Sequence, residues 1–150
     1  MKNLFIVFFI LFFVSLSSAQ KNPQSSQPEF INLRPGSGLP FSDAVRVGNT
    51  LYLSGQIGFN SETGKLVEGG IEAETQKALS NIKDLLEKLD LSMDNVVKCT
   101  VILADIKEWP AMNNVYKTFF TKYPARTSFA ASGLALNARV EIECIAVKNK

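Results

Sequence analysis

One stretch limits what this chain can build. Val96-Val97-Lys98-Cys99-Thr100-Val101-Ile102-Leu103 is an apolar, β-branched run, followed by a turn at Asp105, a helical stretch from Trp109 to Tyr123 closed by Pro124, and a second strand-like run from Thr127 to Ala131. Two strands joined through a helix predict a βαβ unit, with parallel strands in one sheet and the helix on one of its faces. Pro110 fits only the first turn of that helix, where its missing N–H leaves no bond unmade, and Trp109 reads as a packing residue at the helix start. Period-two alternation puts Cys99 on one face with Val97 and Val101, and Thr100 and Ile102 on the other.

The remaining elements fall around this unit. Ala44 to Val47 and Leu51 to Ser54 flank the turn pair Gly48-Asn49 and read as a hairpin. A second turn, Asn60 to Gly64, follows Ile57 and Phe59. From Gly69-Gly70 onward, Ile71, Ala78, Ile82, Leu85, Leu86 and Leu89 recur three or four apart, the stripe of an amphipathic helix whose charges form a solvated face. Arg139 to Val147 is a last strand, reached through the small-residue loop Ser132 to Ala138. The order β-β-α-β-α-β-β predicts an α+β fold, a mixed β-sheet with two helices packed on one face. Its other face carries apolar residues such as Ile102 and calls for cover, which predicts an oligomer.

Before the fold comes a leader. Met1 to Ala19 has one charge at Lys2, an apolar run from Leu4 to Val14, and Ser17 and Ala19 at the small-residue positions of a cut. A signal peptide over 1–19, cleaved before Gln20, is expected, since a membrane anchor needs about 20 apolar residues and this run is shorter. The mature protein is then exported, periplasmic or secreted, with no membrane attachment. Residues 20–38, rich in Gln, Ser, Pro and Gly, read as a flexible N-terminal arm, and 39–150 as the folded domain.

Charge and composition narrow the chemistry. The net charge is +2, or +1 once Lys2 leaves with the leader, and no basic cluster stands out, so nucleic acid is not an expected partner. The chain has no His. That excludes Ser-His-Asp and Cys-His catalysis, His-ligated metal centres and an imidazole proton shuttle. Cys99 and Cys144 both look core-facing. Export would let them pair if geometry allows, while buried free thiols acting as small hydrophobes are the plainer reading.

Five short motifs, Ser54-Gly55-Gln56-Ile57-Gly58, Leu66-Val67-Glu68-Gly69-Gly70, Asn113-Asn114-Val115-Tyr116, Pro124-Ala125-Arg126-Thr127 and Val140-Glu141-Ile142-Glu143, resemble in order and spacing the RidA/YjgF family of reactive intermediate (2-imino acid) deaminases. The resemblance runs from about Leu39 to Val147. It implies a chorismate-mutase-like fold, homotrimers with sheets packed into a central barrel, and sites in the clefts between subunits. It also implies cofactor-independent hydrolysis of enamines and imines, such as 2-aminoacrylate-type 2-imino acids, to 2-keto acids and ammonia.

Carried over by position, the resemblance makes Arg126 the residue that binds the substrate carboxylate and Glu141 the catalytic carboxylate that orients or activates water. Asn113, Ser54 and Phe41 become further substrate-binding positions. The residue types suit these roles, because a guanidinium forks two donors onto a planar carboxylate and Lys cannot. On pattern alone, Arg126 reads as a surface Arg, Glu141 and Glu143 as the polar side of a half-buried strand, and Asn113 as a helix-surface residue. The chain also departs from the family: Leu39-Pro40-Phe41-Ser42-Asp43-Ala44 stands where many members read Gly-Pro-Tyr-Ser-Gln-Ala, so a hydroxyl is lost at Phe41. Ser128 sits where some members carry Cys. A second reading is therefore open, a non-catalytic protein of the same fold that binds keto or amino acids.

Overall fold

The computed structural model describes residues 27–148. The predicted leader and the first residues of the predicted arm lie outside the described residues. Nine strands and two helices follow in chain order: β1 (Glu29–Ile31), β2 (Ala44–Val47), β3 (Thr50–Leu53), β4 (Gln56–Ile57), β5 (Phe59–Asn60), β6 (Lys65–Leu66), α1 (Gly70–Glu87), β7 (Val96–Leu103), α2 (Trp109–Tyr116), β8 (Ala125–Ala130) and β9 (Val140–Val147). A seven-stranded sheet runs β1-β2-β3-β9-β7-β8, with β4 also pairing with β9, and β5 and β6 form a separate ribbon. β7 and β8 are parallel, joined through α2 as the βαβ pattern predicts. The mixed α+β fold holds.

One sheet face meets the helices. Leu51, Val101, Leu103, Val140, Ile142 and Ala146 are buried there against Ala78, Leu79, Ile82 and Leu86 of α1 and Met112 of α2. Burying a Leu or Ile side chain is worth roughly 1.5–3 kcal/mol, and truncating Ile82 to Ala would cost about 2–5 kcal/mol because the core cannot collapse fully around the gap. Gly69, at φ +114, makes the left-handed entry into α1 that a side chain would resist.

The other face is apolar and open. In register across the strands stand Phe30, Val45, Tyr52 and Ile145, and beside them Ile102 and Phe129. Phe30 is 72% exposed, Tyr52 48% and Phe129 45%. Rows of large apolar side chains of this extent are uncommon on the surface of a monomer.

Four local expectations are corrected. The sheet begins at Glu29–Ile31, inside the stretch read as an arm, because the chain returns antiparallel along β2. Val97 does not share the buried face of Cys99: the β7–β9 register shifts between Val96 and Lys98, and this bulge turns Val97 outward. α2 stops at Tyr116, since the N–H groups of Thr118 and Phe119 bond to the carbonyls of Val115 and Tyr116 and tighten the chain into turns well before Pro124. Trp109, expected to pack at the start of α2, is 44% exposed.

Candidate active site

The predicted site residues fall into two groups on two faces of the sheet. Arg126 lies on β8 opposite Cys99 of β7, and Cys99 opposite Cys144 of β9. This is the helix side. The Arg126 guanidinium carbon sits 4.6 Å from the centroid of the Tyr116 ring on α2, a cation–π stack. Arg126 is half-buried, and no acidic side chain pairs with it among the described residues. Asn113, one helical turn before Tyr116, is half-buried with its backbone carbonyl capped by Lys117. A half-buried guanidinium with one face stacked and no carboxylate of its own is equipped to take an anion along its edge.

Glu141 belongs to the second group. It alternates with buried Val140 and Ile142 on β9, so its side chain leaves the sheet on the face away from the helices. β4 crosses beside it, with Ile57 opposite Glu141. Gly55 makes the approach possible: a Cβ there would lie 2.1 Å from Glu141 Oε1. Glu141 opens into a cleft of about 730 Å³ whose walls include Leu39, Phe41, Gln56, Ile57 and Leu136. Phe41 is exposed at this edge. Ser54, next to Gly55, donates its hydroxyl proton to the Ser42 carbonyl at 2.7 Å and keeps its lone pairs free.

The segment that carries Phe41 is anchored by a buried acid. Asp43, only 5% exposed, accepts the Leu33 N–H at 2.7 Å and pairs with the Arg34 guanidinium through both Nε and a terminal nitrogen. This clamps the segment between β1 and β2 along the cleft. The signal available was Asp43 in place of the family Gln, nine residues after an Arg. Tyr116, too, was missed as a partner of Arg126, although it lies within one of the matched motifs.

Beneath Tyr116, the Cys99 and Cys144 sulfurs approach to 2.9 Å as free thiols. Their mutual hydrogen bond, with burial, holds the Cys144 thiol far above the ordinary thiol range, and the same bond lowers Cys99. Burial pushes the Tyr116 hydroxyl up as well. Among the described residues no cluster of three or more His, Cys, Asp or Glu side chains could hold a metal ion.

Comparison with known proteins matches this arrangement to a family. The Endoribonuclease L-PSP profile matches residues 32–148. The 2-iminobutanoate/2-iminopropanoate deaminase of Capra hircus is 46% identical over 110 residues, 73% of this chain and 80% of that protein. Among solved structures, RidA from the Antarctic bacterium Psychrobacter sp. superposes with a TM-score of 0.70 at 36% identity, covering 83% of this chain and 99% of that one. The structure of E. coli TdcF with bound serine has a TM-score of 0.74 at 29% identity, covering 81% and 99%. The chain belongs to the RidA/YjgF, or endoribonuclease L-PSP, family.

Proposed function

We propose that this protein hydrolyses 2-imino acids to 2-keto acids and ammonia, in a cleft that two copies of the chain build together. The observation that carries this is Arg126, a half-buried guanidinium without an acidic partner among the described residues, in a chain 46% identical to a protein named for imine deamination. Arg126 forks onto the substrate carboxylate. Glu141 takes a proton from a water as the water oxygen attacks the electrophilic C=N carbon of the protonated imine. Glu141 returns that proton to the nitrogen of the tetrahedral adduct, the C–N bond breaks and ammonia leaves, and the carboxylate takes the remaining hydroxyl proton as the C=O bond forms, passing it on to the departing ammonia as ammonium. Such an electrophile needs orientation more than strong base, so effective molarity supplies most of the rate, and no imidazole is required. Ser54 and Asn113 supply polar contacts and Phe41 an apolar wall.

The assembly we propose is a homotrimer with the open sheet faces turned inward. Phe30, Tyr52 and Phe129 support it, since a closed ring buries them. Light scattering at micromolar concentration that gives a monomer would refute it. We further propose that Met1 to Ala19 is a cleaved export signal. Mass spectrometry of the native protein should find Gln20 first, and an intact Met1 would contradict this.

The activity is tested by generating 2-imino acids with an amino-acid oxidase and following ammonia and keto-acid release with and without the mature protein. Acceleration that is lost in Arg126→Ala is expected. Should the wild type give none while 2-keto acids bind through Arg126, the protein is a ligand-binding member of the fold. That reading is favoured by the missing hydroxyl at Phe41 and by the serine bound to TdcF.

A further inference from the structure

We infer that Tyr116 is a positioning residue for substrate binding: its ring face holds the Arg126 guanidinium so that the edge of the fork meets the carboxylate. This rests on the reading of Arg126 as the carboxylate anchor. β8 is the outermost strand of its sheet, so no neighbouring strand braces the Arg126 side chain from beyond. An unsupported Arg loses much rotamer freedom whenever it closes on a ligand. The Tyr116 ring supplies the missing support. It is 4% exposed, and Phe120 packs against it with ring centroids 4.7 Å apart at 37°, so the ring cannot swing away. Met112, one turn earlier on α2, is fully buried and anchors the helix beneath.

Geometry separates this role from ordinary core packing. A stacked guanidinium presents its plane to the ring and its N–H edges sideways, which leaves the paired donors available to a planar carboxylate. The Tyr116 hydroxyl contributes nothing to that stack. It is buried and faces the Cys99 thiol, a weak partner, with no oxygen or nitrogen bonded to it among the described residues, so a packing role alone would be served about as well by Phe. The face of the ring, and its negative charge density, is the part that matters.

The test varies that charge density at nearly constant shape. In the full-length mature protein, Tyr116→Phe is the reference, and phenylalanines carrying one to three ring fluorines are placed at the same position. KM for a 2-imino acid is expected to climb with fluorination, by about 3- to 10-fold at three fluorines, with kcat changing less than about twofold. Tyr116→Leu should raise KM by about 10-fold or more, and if it fails to fold the fluorinated series still reads the effect. A neutral 2-keto amide tested as an inhibitor should bind equally across the series, because it offers no carboxylate to the fork. KM that stays level through the fluorines, while Arg126→Ala loses binding, overturns the positioning role and leaves the anchor intact. Full activity in Arg126→Ala overturns the anchor itself.

Discussion

Arg126 and Glu141 stand on opposite faces of the same sheet: Arg126 stacks on Tyr116 among the helices, whereas Glu141 projects past Gly55 on the far side. Within one chain the two side chains point away from each other across the sheet. If both serve one reaction, one chain supplies the carboxylate anchor and its neighbour the water-orienting carboxylate.

This gives a complementation test. Arg126→Ala and Glu141→Gln should each be nearly inactive, yet unfolding and refolding them together should restore about a quarter of the wild-type rate, the share of mixed interfaces that carry both intact groups. Were both groups drawn from one chain, every site would lack one of them and the mixture would stay inactive.

Gly55 gives a second test. An Ala Cβ would meet the end of the Glu141 side chain, not backbone, so Gly55→Ala should fold normally and push the carboxylate aside. Misplacement of a catalytic group by about 1 Å commonly costs on the order of 100-fold. We expect kcat to drop by at least about tenfold with the melting temperature nearly unchanged, and KM, which the proposed Arg126 anchor would govern, to move less. A kcat equal to wild type would show that Glu141 does not work from this position.

What was legible in the sequence follows from range. β7 could be placed because its apolar run and its neighbours are local, and α1 because its stripe repeats over several turns. The bulge that turns Val97 outward depends on the register with β9, far along the chain. β1 and β4 are short strands defined by partners, without the alternation that announces a longer strand. Arg126 and Glu141 were singled out by their motif context. That they diverge across the sheet, and that Tyr116 backs Arg126, emerges only once α2 packs over β8. The polar composition of residues 20–38 hides Phe30 and Ile31, which gain their place from pairing with β2.

The Asp43 clamp is a stability determinant. Asp43→Ala strips the Leu33 N–H of its acceptor and leaves Arg34 without its ion pair. Losing this part-buried hydrogen bond to a charged acceptor costs about 1–3 kcal/mol, while in Asp43→Ala the 47%-exposed Arg34 side chain is solvated once its partner is gone. Urea denaturation should therefore show a loss of about 1–3 kcal/mol, and Arg34→Ala, which leaves the nearly buried Asp43 carboxylate with the Leu33 N–H alone, a loss at least as large. A clearly smaller loss in Arg34→Ala would mean that the backbone acceptor, not the ion pair, carries the clamp.

Alkaline pH should weaken the fold in a way traceable to three groups. Cys144 is held above its ordinary value of 9.0, first by the bond to Cys99 and then by burial, and Tyr116 above 10.0, first by burial. Cys99 moves the opposite way, lowered first by its bond to Cys144. Groups raised in the folded state contribute their full stability below their unfolded values and lose it as pH climbs past them. Above about pH 9 the unfolded chain therefore binds fewer protons than the folded one, and stability falls. Cys99 offsets one of the two raised groups only in part, which leaves a net slope of about 1.4 kcal/mol per pH unit or somewhat more between about pH 9.5 and 10.5. With no His in the chain, no imidazole adds a step near neutrality. Because Cys99 is lowered in the folded state, urea midpoints taken from about pH 7 to 10.5 should hold or rise slightly up to about pH 9 and then decline, and Cys99→Ala/Cys144→Ala, which removes the coupled pair as a unit, should leave only the Tyr116 share of the decline. A midpoint that held level or rose above about pH 9.5 would mean that the dithiol and Tyr116 ionise as readily folded as unfolded.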